Sequence, residues 1–323
     1  MIAAGRRTLA RGMSRATDPN ALSLPELFAS LTRDGSLDRL LALARDEDMG
    51  GAGDVTSRSC IAPGTPGRAE LMARGEGVVA GLAAVPSVLR AFGSGVSATM
   101  RATDGDGVAA GRVLCVLQGE LAELLAVERT MLNLVGRLSG VATQTRRYVH
   151  AIGSGTRAKL YDTRKTTPGL RALEKYAVRC GGGHCHRVGL FDAVLIKDNH
   201  IAGVGPALLG AFLREASAKV RAAGVPLKFI EVEVDSLEQL DAVLALEPGV
   251  VDIVLLDNMS PSTMREACAR RGERAPWLEL EASGGVTLTT IRAVAETGVD
   301  RISVGALTHS APQLDVALDV VSA

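Results

Sequence analysis

The sequence has few aromatic residues, no net charge and no apolar run as long as a membrane span. Aromatic side chains make up 3% of the 323 residues, so the rows of rings on which single-stranded nucleic acids stack are missing. The 36 Lys and Arg balance 36 Asp and Glu, whereas nucleic acids and anionic membranes attract basic surfaces. A membrane-spanning helix needs about 20 apolar residues. We therefore expect neither nucleic acid nor membrane as a partner.

The cysteines do not form the regular pattern of a disulfide framework. There are five of them, an odd number with irregular spacing, which is typical of reduced thiols in the cytoplasm. Residues 1–17 contain four arginines and no acidic residue, which fits either an organellar targeting segment or a short tail. We favour a disordered tail over residues 1–20 and a cytoplasmic protein.

Hydrophobic periodicity divides the chain into two kinds of region. Residues 22–48 have a largely helical pattern, residues 68–118 read as short strands with glycine turns, and residues 119–152 predict one long amphipathic helix. The turn GDGVAAG is typical of lipoyl- and biotinyl-carrier domains, but the lysine that those domains modify is absent.

From residue 156 onwards, apolar strands alternate with helical segments. Six strands are predicted, at AKLYDTR, AVLIKDN, KFIEVEV, VDIVLLDN, LELEASGG and RISVGAL. This alternation indicates an α/β fold with a parallel sheet. A complete eight-stranded barrel needs roughly 200 residues or more, so the sequence predicts an incomplete or distorted barrel.

Polar residues end most of these strands. They are Arg164 and Lys165, Lys197, Glu231 and Glu233, Asp257, and Ser283-Gly284-Gly285. In barrels of this kind the active site lies at the carboxyl ends of the strands. Since side chains alternate along a strand, Glu231 and Glu233 face the same way. Two alternatives to an active site would also place polar residues here. The charges could form a Lys–Glu ion-pair network, or the strands could simply end in solvent.

Residues 161–201 form a local concentration of positive charge. Seven Lys or Arg and three His stand against four acidic residues. The candidate functional subset is Arg164, Lys165, His186, Arg187 and Lys197, followed by Asp198 and His200. A basic pocket in a neutral protein indicates a small polyanionic ligand.

Two glycine turns near the end of the chain predict a phosphate site. ASGGVT includes Ser283, Gly284 and Gly285, and SVGALTHS includes Gly305 and His309. Glycines let backbone N–H groups approach phosphate oxygens, and a following helix N-terminus attracts negative charge. The segment GGGHCH is a weaker candidate for zinc, because adjacent side chains do not readily converge on one ion.

Together these motifs resemble quinolinate phosphoribosyltransferase, over most of residues 37–321. The most specific are ERTMLNLVGRLSGVAT, DTRKTTPGLRALEKYAVRCGGGHCHRVGL, LIKDNHI, EVEVDSL, VLLDN, ASGGV and SVGALTHS. The resemblance implies an N-terminal open α/β sandwich domain over 21–140 and an incomplete barrel of six to seven strands over 141–310. We expect a C-terminal helix at 311–323 that packs back on the first domain.

The resemblance also implies roles for individual residues. Lys197, Glu233 and Asp257 would be catalytic, and the two carboxylates would lie near the ribose and Mg²⁺. The implied quinolinate-binding residues are Arg164, His186, Arg187 and Lys197, with Thr163 and Lys165 beside them. The implied phosphate-binding residues are Ser283, Gly284, Gly285, Gly305 and His309. Arg129 would be donated across a homodimer interface, and a higher oligomer built from such dimers is compatible with this role. One departure is Cys185, where the family usually has Asn.

The implied reaction transfers the phosphoribosyl group of phosphoribosyl pyrophosphate to the nitrogen of quinolinate. Decarboxylation then gives nicotinate mononucleotide, pyrophosphate and CO₂ in NAD biosynthesis, with Mg²⁺ and no organic cofactor. Three alternatives remain at this point. They are a molybdate-locus paralogue acting on a related substrate, an isomerase or aldolase using Lys197 as a Schiff-base amine, and a non-catalytic phosphometabolite sensor.

Overall fold

The computed structural model describes residues 18–321. Residues 1–17, which form most of the predicted tail, lie outside the described residues. The first elements are α1 (Leu24–Thr32), α2 (Ser36–Met49), α3 (Val55–Cys60), β1 (Pro66–Ala73), β2 (Gly77–Val78), α4 (Val85–Ala91), β3 (Ser97–Met100), β4 (Gly107–Val108), β5 (Val113–Glu120) and α5 (Leu121–Ile152).

The following elements alternate between strand and helix. They are β6 (Lys159–Tyr161), α6 (Arg171–Cys180), β7 (Val194–Ile196), α7 (Pro206–Ala222), β8 (Ile230–Val234), α8 (Leu237–Leu244), β9 (Ile253–Asp257), α9 (Pro261–Arg274), β10 (Glu279–Ser283), α10 (Ile291–Ala295), β11 (Arg301–Ser303), α11 (Ala306–His309) and β12 (Val316–Val321). Short 3-10 helices lie at Leu82–Ala84 and Asp198–His200.

The helical pattern of residues 22–48 corresponds to two helices, α1 and α2. Ser23 begins α1, where its backbone N–H and its hydroxyl both donate to Glu26 Oε2, at 2.9 and 2.7 Å. The break between α1 and α2 falls at Gly35, whose φ of 71° is the left-handed conformation that glycine adopts most readily.

The N-terminal domain is built on an antiparallel sheet with strand order β12-β1-β5-β3. The predicted helix at 311–323 is wrong, because Val316–Val321 is a strand that pairs with β1 from Ala73 to Arg68. Its sequence, VALDVV, is rich in β-branched residues. Pairing satisfies backbone groups along the edge of β1 that a helix would leave exposed.

Helix α5 joins the two regions of the molecule. Its 32 residues correspond to a length of about 48 Å, and the predicted domain boundary at 140/141 falls inside it. Leu124 and Val127 are fully buried near its start, and Leu138 and Val141 are fully buried further along. The Leu314 N–H donates to the Gly136 carbonyl at 3.0 Å, which ties the segment before β12 to the middle of this helix.

The second region is a parallel sheet of six strands in the order β6-β11-β10-β9-β8-β7. Its end strands, β6 and β7, do not pair with each other, so the predicted incomplete barrel is confirmed. Along the edge that does not pair with β11, β6 contacts the segment after α6 through a parallel β-bridge between Tyr161 and His184. Within residues 18–321, no helix is both long enough and apolar enough to cross a membrane.

Candidate active site

A pocket of about 540 Å³ opens at the carboxyl ends of the barrel strands. Of the fourteen residues to which the family resemblance assigns a role, all except Arg129 line it, whereas the further candidates Asp198 and His200 do not. The lining residues are Thr163, Arg164, Lys165, His186, Arg187, Lys197, Glu233, Asp257, Ser283, Gly284, Gly285, Gly305 and His309. They come from the ends of all six strands and from the loop after α6. Short apolar strands therefore bring together residues that are far apart in sequence.

Two arginines line one wall of the pocket without a full set of partners. The Nε atom of Arg164 is buried and has no hydrogen-bond partner among the described residues. Burial and the nearby positive charge of Arg164 both lower the pKa of Arg187. Two neighbouring like charges, one of them buried and the other partly buried, favour an anion between them, and planar guanidinium groups suit carboxylates.

Lys197 and Glu233 form an ion pair in the pocket. Lys197 Nζ lies 2.8 Å from Glu233 Oε2, and the lysine side chain is 45% exposed. The Lys197 backbone N–H donates to His200 Nδ1 at 2.8 Å, so His200 fixes the turn that follows β7. The ammonium group can therefore keep its carboxylate partner and still reach a ligand.

Glu233 and Asp257 lie at the ends of neighbouring strands. Glu233 is opposite Leu255 on β9, two residues before Asp257, and Asp257 is opposite Ser283 on β10. Asp257 Oδ2 also accepts a hydrogen bond from Asn258 Nδ2 at 2.8 Å. A small set of oxygen donors facing an open pocket fits Mg²⁺, which usually keeps waters and binds substrate phosphates.

The first glycine turn is closely packed against Asn258. Gly284 has φ of 91°, and a Cβ there would come within 2.1 Å of Asn258 Oδ1. Asn258 is itself the non-glycine residue with positive φ among the described residues. The next helix begins only at Ile291. The expected helix N-terminus is therefore missing at this turn, which leaves its backbone N–H groups as the donors.

The second glycine turn brings two more predicted residues together. A Cβ on Gly305 would come within 2.9 Å of Lys165 Cδ and 3.1 Å of His309 Nε2. The Thr308 hydroxyl donates to the Lys165 carbonyl at 2.7 Å, which fixes the lysine backbone beside this turn. Glycine thus lets Lys165 and His309 approach one side of the pocket.

The loop with His186 and Arg187 is held through its backbone. The His186 N–H donates to Asp162 Oδ1 at 2.8 Å, and the same oxygen accepts from Lys175 Nζ at 2.5 Å. The N–H groups of Val188 and Gly189 both donate to Asp192, each at 2.8 Å. Because these acceptors are buried carboxylates, the loop has little freedom to move.

His186 points into a charged barrel interior. Its Nε2 lies 3.0 Å from Glu231 and 3.4 Å from Glu281, and both carboxylates are fully buried. Arg301 Nε donates to Glu281 at 2.7 Å, and its guanidinium lies over the Tyr161 ring at 3.8 Å. These atoms are close enough to surround a cation. However, Arg301 already offsets the charge of Glu281, so we interpret the cluster as an Arg301–Glu281 ion pair, with both carboxylates also facing His186 Nε2.

The neighbouring carboxylates and the neighbouring backbone have opposite effects on the protonation of His186. Burial alone would lower the pKa of His186, but Glu281 and Glu231 raise it to about 9. The Arg187 N–H, however, donates to His186 Nδ1 at 2.8 Å, which leaves only Nε2 to hold a proton. The hydrogen bond is the more specific constraint, so the ring is neutral in this conformation. A second proton requires the Arg187 amide to turn away.

Cys185 departs from the family pattern without leaving the loop loose. Its side chain is 3% exposed, and its Sγ donates to the Lys175 carbonyl at 3.6 Å. Both of its backbone groups are bonded to Asn20. Burial, the largest influence, raises the pKa of this thiol to about 12. A nucleophilic role for Cys185 is therefore disfavoured.

Arg129 lies outside the pocket of its own chain. It is exposed on α5, and it does not line the pocket. Leu190 and Phe191 lie in the same loop as His186 and Arg187, and they are 74% and 70% exposed. Apolar side chains of this size, side by side on the surface, are typical of protein contact regions.

Several pocket residues were not among the predicted site residues. Asp162, Asn258 and Glu281 line the pocket, and each stands inside a motif that the sequence analysis identified. Glu281 shows the clearest missed signal, because it lies two residues before Ser283 and must share its side of β10. Arg301 gave no such signal, since it stands at the beginning of its strand.

The fold is an open α/β barrel, and the pocket at its strand ends combines positive charges with glycine turns, an arrangement typical of enzymes that act on phosphorylated substrates. The family described as "Quinolinate phosphoribosyl transferase, C-terminal domain" matches residues 141–319, and the corresponding N-terminal domain matches residues 54–139. The chain belongs to the quinolinate phosphoribosyltransferase family.

Named relatives agree with this assignment. The chain is 47% identical over 279 residues to nicotinate-nucleotide pyrophosphorylase (carboxylating) of Mycobacterium leprae, covering 86% of this chain and 94% of the relative. A probable enzyme of the same name from Bacillus subtilis is 43% identical, with 85% and 90% covered. The structure of nicotinate-nucleotide pyrophosphorylase from Francisella tularensis superposes with a TM-score of 0.79 at 34% identity, covering 95% of this chain and all of that one.

Proposed function

We propose that this protein catalyses phosphoribosyl transfer from phosphoribosyl pyrophosphate to quinolinate, with decarboxylation, in NAD biosynthesis. The main supporting observation is the pocket at the strand ends. It combines two neighbouring arginines with few hydrogen-bond partners, two carboxylates on neighbouring strands and two glycine turns. Quinolinate supplies two carboxylates and phosphoribosyl pyrophosphate supplies phosphates, so each part of the pocket has a matching ligand group.

The two arginines and Lys197 orient quinolinate in this proposal. Arg164 and Arg187 offer planar, paired donors for carboxylates, and Lys197 adds a positive charge at the end of β7. The 5-phosphate lies at Ser283–Gly285 and Gly305, beside Lys165 and His309. The two substrates then meet between the walls of the pocket with little freedom to rotate, which itself accelerates a reaction between two molecules.

Glu233 and Asp257 act at the ribose. Displacement at the anomeric carbon develops positive charge on the sugar, and a fixed carboxylate nearby stabilises that charge. The same two residues would hold Mg²⁺, which when bound neutralises the pyrophosphate leaving group. The Lys197–Glu233 pair keeps the carboxylate oriented until the substrate arrives.

Decarboxylation follows from the charge of the product ring. Bond formation at the ring nitrogen makes the pyridine cationic, so the electron pair left on the ring carbon when CO₂ departs lies next to a positive centre. A proton from solvent then bonds to this carbon and replaces the carboxylate. We propose that no organic cofactor is needed for this step. We also propose a cytoplasmic protein, supported by five free thiols among the described residues, three of them buried.

The sharpest test compares quinolinate with nicotinate, which has one carboxylate. Loss of one charge-assisted hydrogen-bonded pair costs about 1.5–3 kcal/mol, or roughly one to two decades in kcat/KM. We expect the purified protein to release CO₂ and form nicotinate mononucleotide from quinolinate, with nicotinate much poorer. Equal efficiency with both substrates would contradict the proposal, and turnover of neither would favour a sensor or a paralogue.

The proposal includes a homodimer in which Arg129 of one subunit enters the other subunit's pocket. Arg129 is exposed and lies outside its own pocket, while Leu190 and Phe191 are exposed near the pocket. A two-fold contact that covers these apolar side chains would satisfy both observations. A larger assembly of such dimers is compatible with the same contact.

A further inference from the structure

The segment before α1 contacts the loop from Cys185 to Asp192, which carries His186 and Arg187, through Asn20. Asn20 Nδ2 donates to the Cys185 carbonyl at 2.9 Å, and the Cys185 N–H donates to Asn20 Oδ1 at 2.7 Å. The Asn20 backbone N–H in turn donates to Asp18 Oδ1 at 2.9 Å. One side chain thus pairs with both backbone groups of a residue 165 positions away.

Cys185 depends on this contact more than its neighbours do. The amides of His186, Val188 and Gly189 are bound by carboxylates of the barrel region itself. Within residues 18–321, the backbone N–H and carbonyl of Cys185 form hydrogen bonds only with Asn20. Cys185 is 3% exposed, so water cannot readily replace them, and a buried polar group without a partner is costly.

We infer that Asn20 is a positioning residue for His186 and Arg187, and so for the carboxylates of quinolinate. This inference rests on the proposed function. The effect should be specific to quinolinate. The glycine turns proposed for the phosphate of phosphoribosyl pyrophosphate follow β10 and β11, and among the described residues they have no hydrogen bond to Asn20. Asn20 touches neither substrate in this assignment and acts only through the backbone of Cys185.

The test is a comparison of Asn20→Ala with Ser23→Ala. Ser23 lies in the same segment and bonds Glu26 rather than the loop, so its replacement loosens α1 without freeing Cys185. We expect the KM for quinolinate to rise about tenfold or more in Asn20→Ala, with the KM for phosphoribosyl pyrophosphate nearly unchanged. Ser23→Ala should leave both constants close to wild type. Asn20→Asp, which keeps the acceptor for the Cys185 N–H, should lie between Asn20→Ala and wild type.

Amide hydrogen exchange gives a readout that does not depend on turnover. Residues 183–189 should exchange faster in Asn20→Ala than in wild type or Ser23→Ala. Equal exchange in all three proteins, or parallel rises in both KM values in Asn20→Ala, would overturn the inference. If Asn20→Ala does not fold, Asn20→Asp gives the same comparison. Failure of the proposed function looks different, since wild type itself would then show no turnover.

Discussion

A charged side chain in the pocket can keep its ion-pair partner and still be exposed enough to contact a ligand. Lys197 is the clearest case, because its Nζ contacts Glu233 while almost half of its side chain remains exposed. A lysine that served only as an ion-pair partner would contribute little at such exposure. Its position among two arginines and two carboxylates indicates instead a role in substrate binding.

Lys197→Met should therefore impair activity far more than folding. Methionine keeps the length of the chain and removes the charge, so kcat/KM for quinolinate should fall by about one to two decades or more. Thermal stability should change little. Lys219→Met is a matched control, since Lys219 forms an exposed pair with Glu215 on α7.

A result in which both variants keep full activity would exclude Lys197 from the site. The Schiff-base alternative is tested with the same proteins. Borohydride in the presence of a carbonyl substrate should leave wild type fully active, because the proposed transfer forms no imine. Inactivation that requires Lys197 would instead support an aldolase-type mechanism.

At this scale, the sequence predicted residues that follow strands and missed residues that act through the backbone. Arg164, Lys197 and Asp257 were found because a charged residue after an apolar run is easy to recognise. Asn20 was placed in the tail, since nothing in the sequence relates it to Cys185. That contact depends on folding across 165 positions.

Among the structural elements, the loop from Cys185 to Asp192 determines where the arginine wall stands. Its far end is held by Asp192, which accepts from two loop amides and pairs with Lys228 at 2.7 Å. Burial alone would raise the pKa of Asp192, but the bonds from Lys228 and the two amides lower it. The carboxylate is thus stabilised in its charged form by the loop that it holds.

Asp192→Asn should destabilise the protein in a pH-dependent way. A depressed pKa means that the charged carboxylate contributes stability above its unfolded value of 3.8, and that this is lost as pH falls through the lower folded value. We expect a loss of about 1.5–3 kcal/mol at neutral pH, shrinking below about pH 3.8.

Urea unfolding from pH 7 downward measures this difference, over the range in which both proteins remain folded. Asp46→Asn is the control, since Asp46 is 65% exposed and, within residues 18–321, its side chain pairs only with its neighbour Arg45. If the two proteins have equal free energies of unfolding at pH 7, or if the difference between them grows at acid pH, the charged Asp192 carboxylate does not stabilise the loop.

The second prediction about structural elements concerns strand β12. Removal of residues 316–323 exposes the edge of β1 and opens the N-terminal sheet, so the unfolding midpoint should fall and the protein should self-associate. Removal of residues 322–323 alone leaves β12 intact and is the control. Light scattering and urea titration measure both effects, and equal behaviour of the two truncations would contradict the assignment of β12.

The success of the sequence analysis differed between elements for physical reasons. The barrel strands were predicted because each is a short apolar run bounded by turns. The strand at the C-terminus was not, because its partner, β1, lies about 250 positions earlier in the chain. A six-residue segment has no periodicity of its own that distinguishes strand from helix.

For the whole molecule, the main question is whether one chain contains a complete site. Of the fourteen residues to which the family resemblance assigns a role, thirteen line one pocket, and Arg129 lies on the surface of α5. If Arg129 belongs to the partner's pocket, the enzyme has two sites per dimer, and each requires both subunits.

Mixed dimers of Arg129→Ala and Lys197→Ala test this arrangement. Each parent should be nearly inactive, since each lacks one component in every site. After the two are unfolded and refolded together, half of the dimers are mixed, and one site in each mixed dimer is intact. About a quarter of all sites should therefore recover under two-fold symmetry. Mixed dimers confirmed by mass spectrometry but without added activity would place Arg129 in its own subunit's function or in none.

The charged barrel interior also limits how this protein can change over evolutionary time. Removing one member of a buried ion pair leaves an uncompensated charge, at a cost of about 3–5 kcal/mol, which is a large part of the stability of a typical domain. Glu281 and Arg301 should therefore be replaced together or not at all among descendants of this sequence. Single replacements should be rare intermediates, and a library of paired apolar replacements at 281 and 301 should contain more folded proteins than either single library.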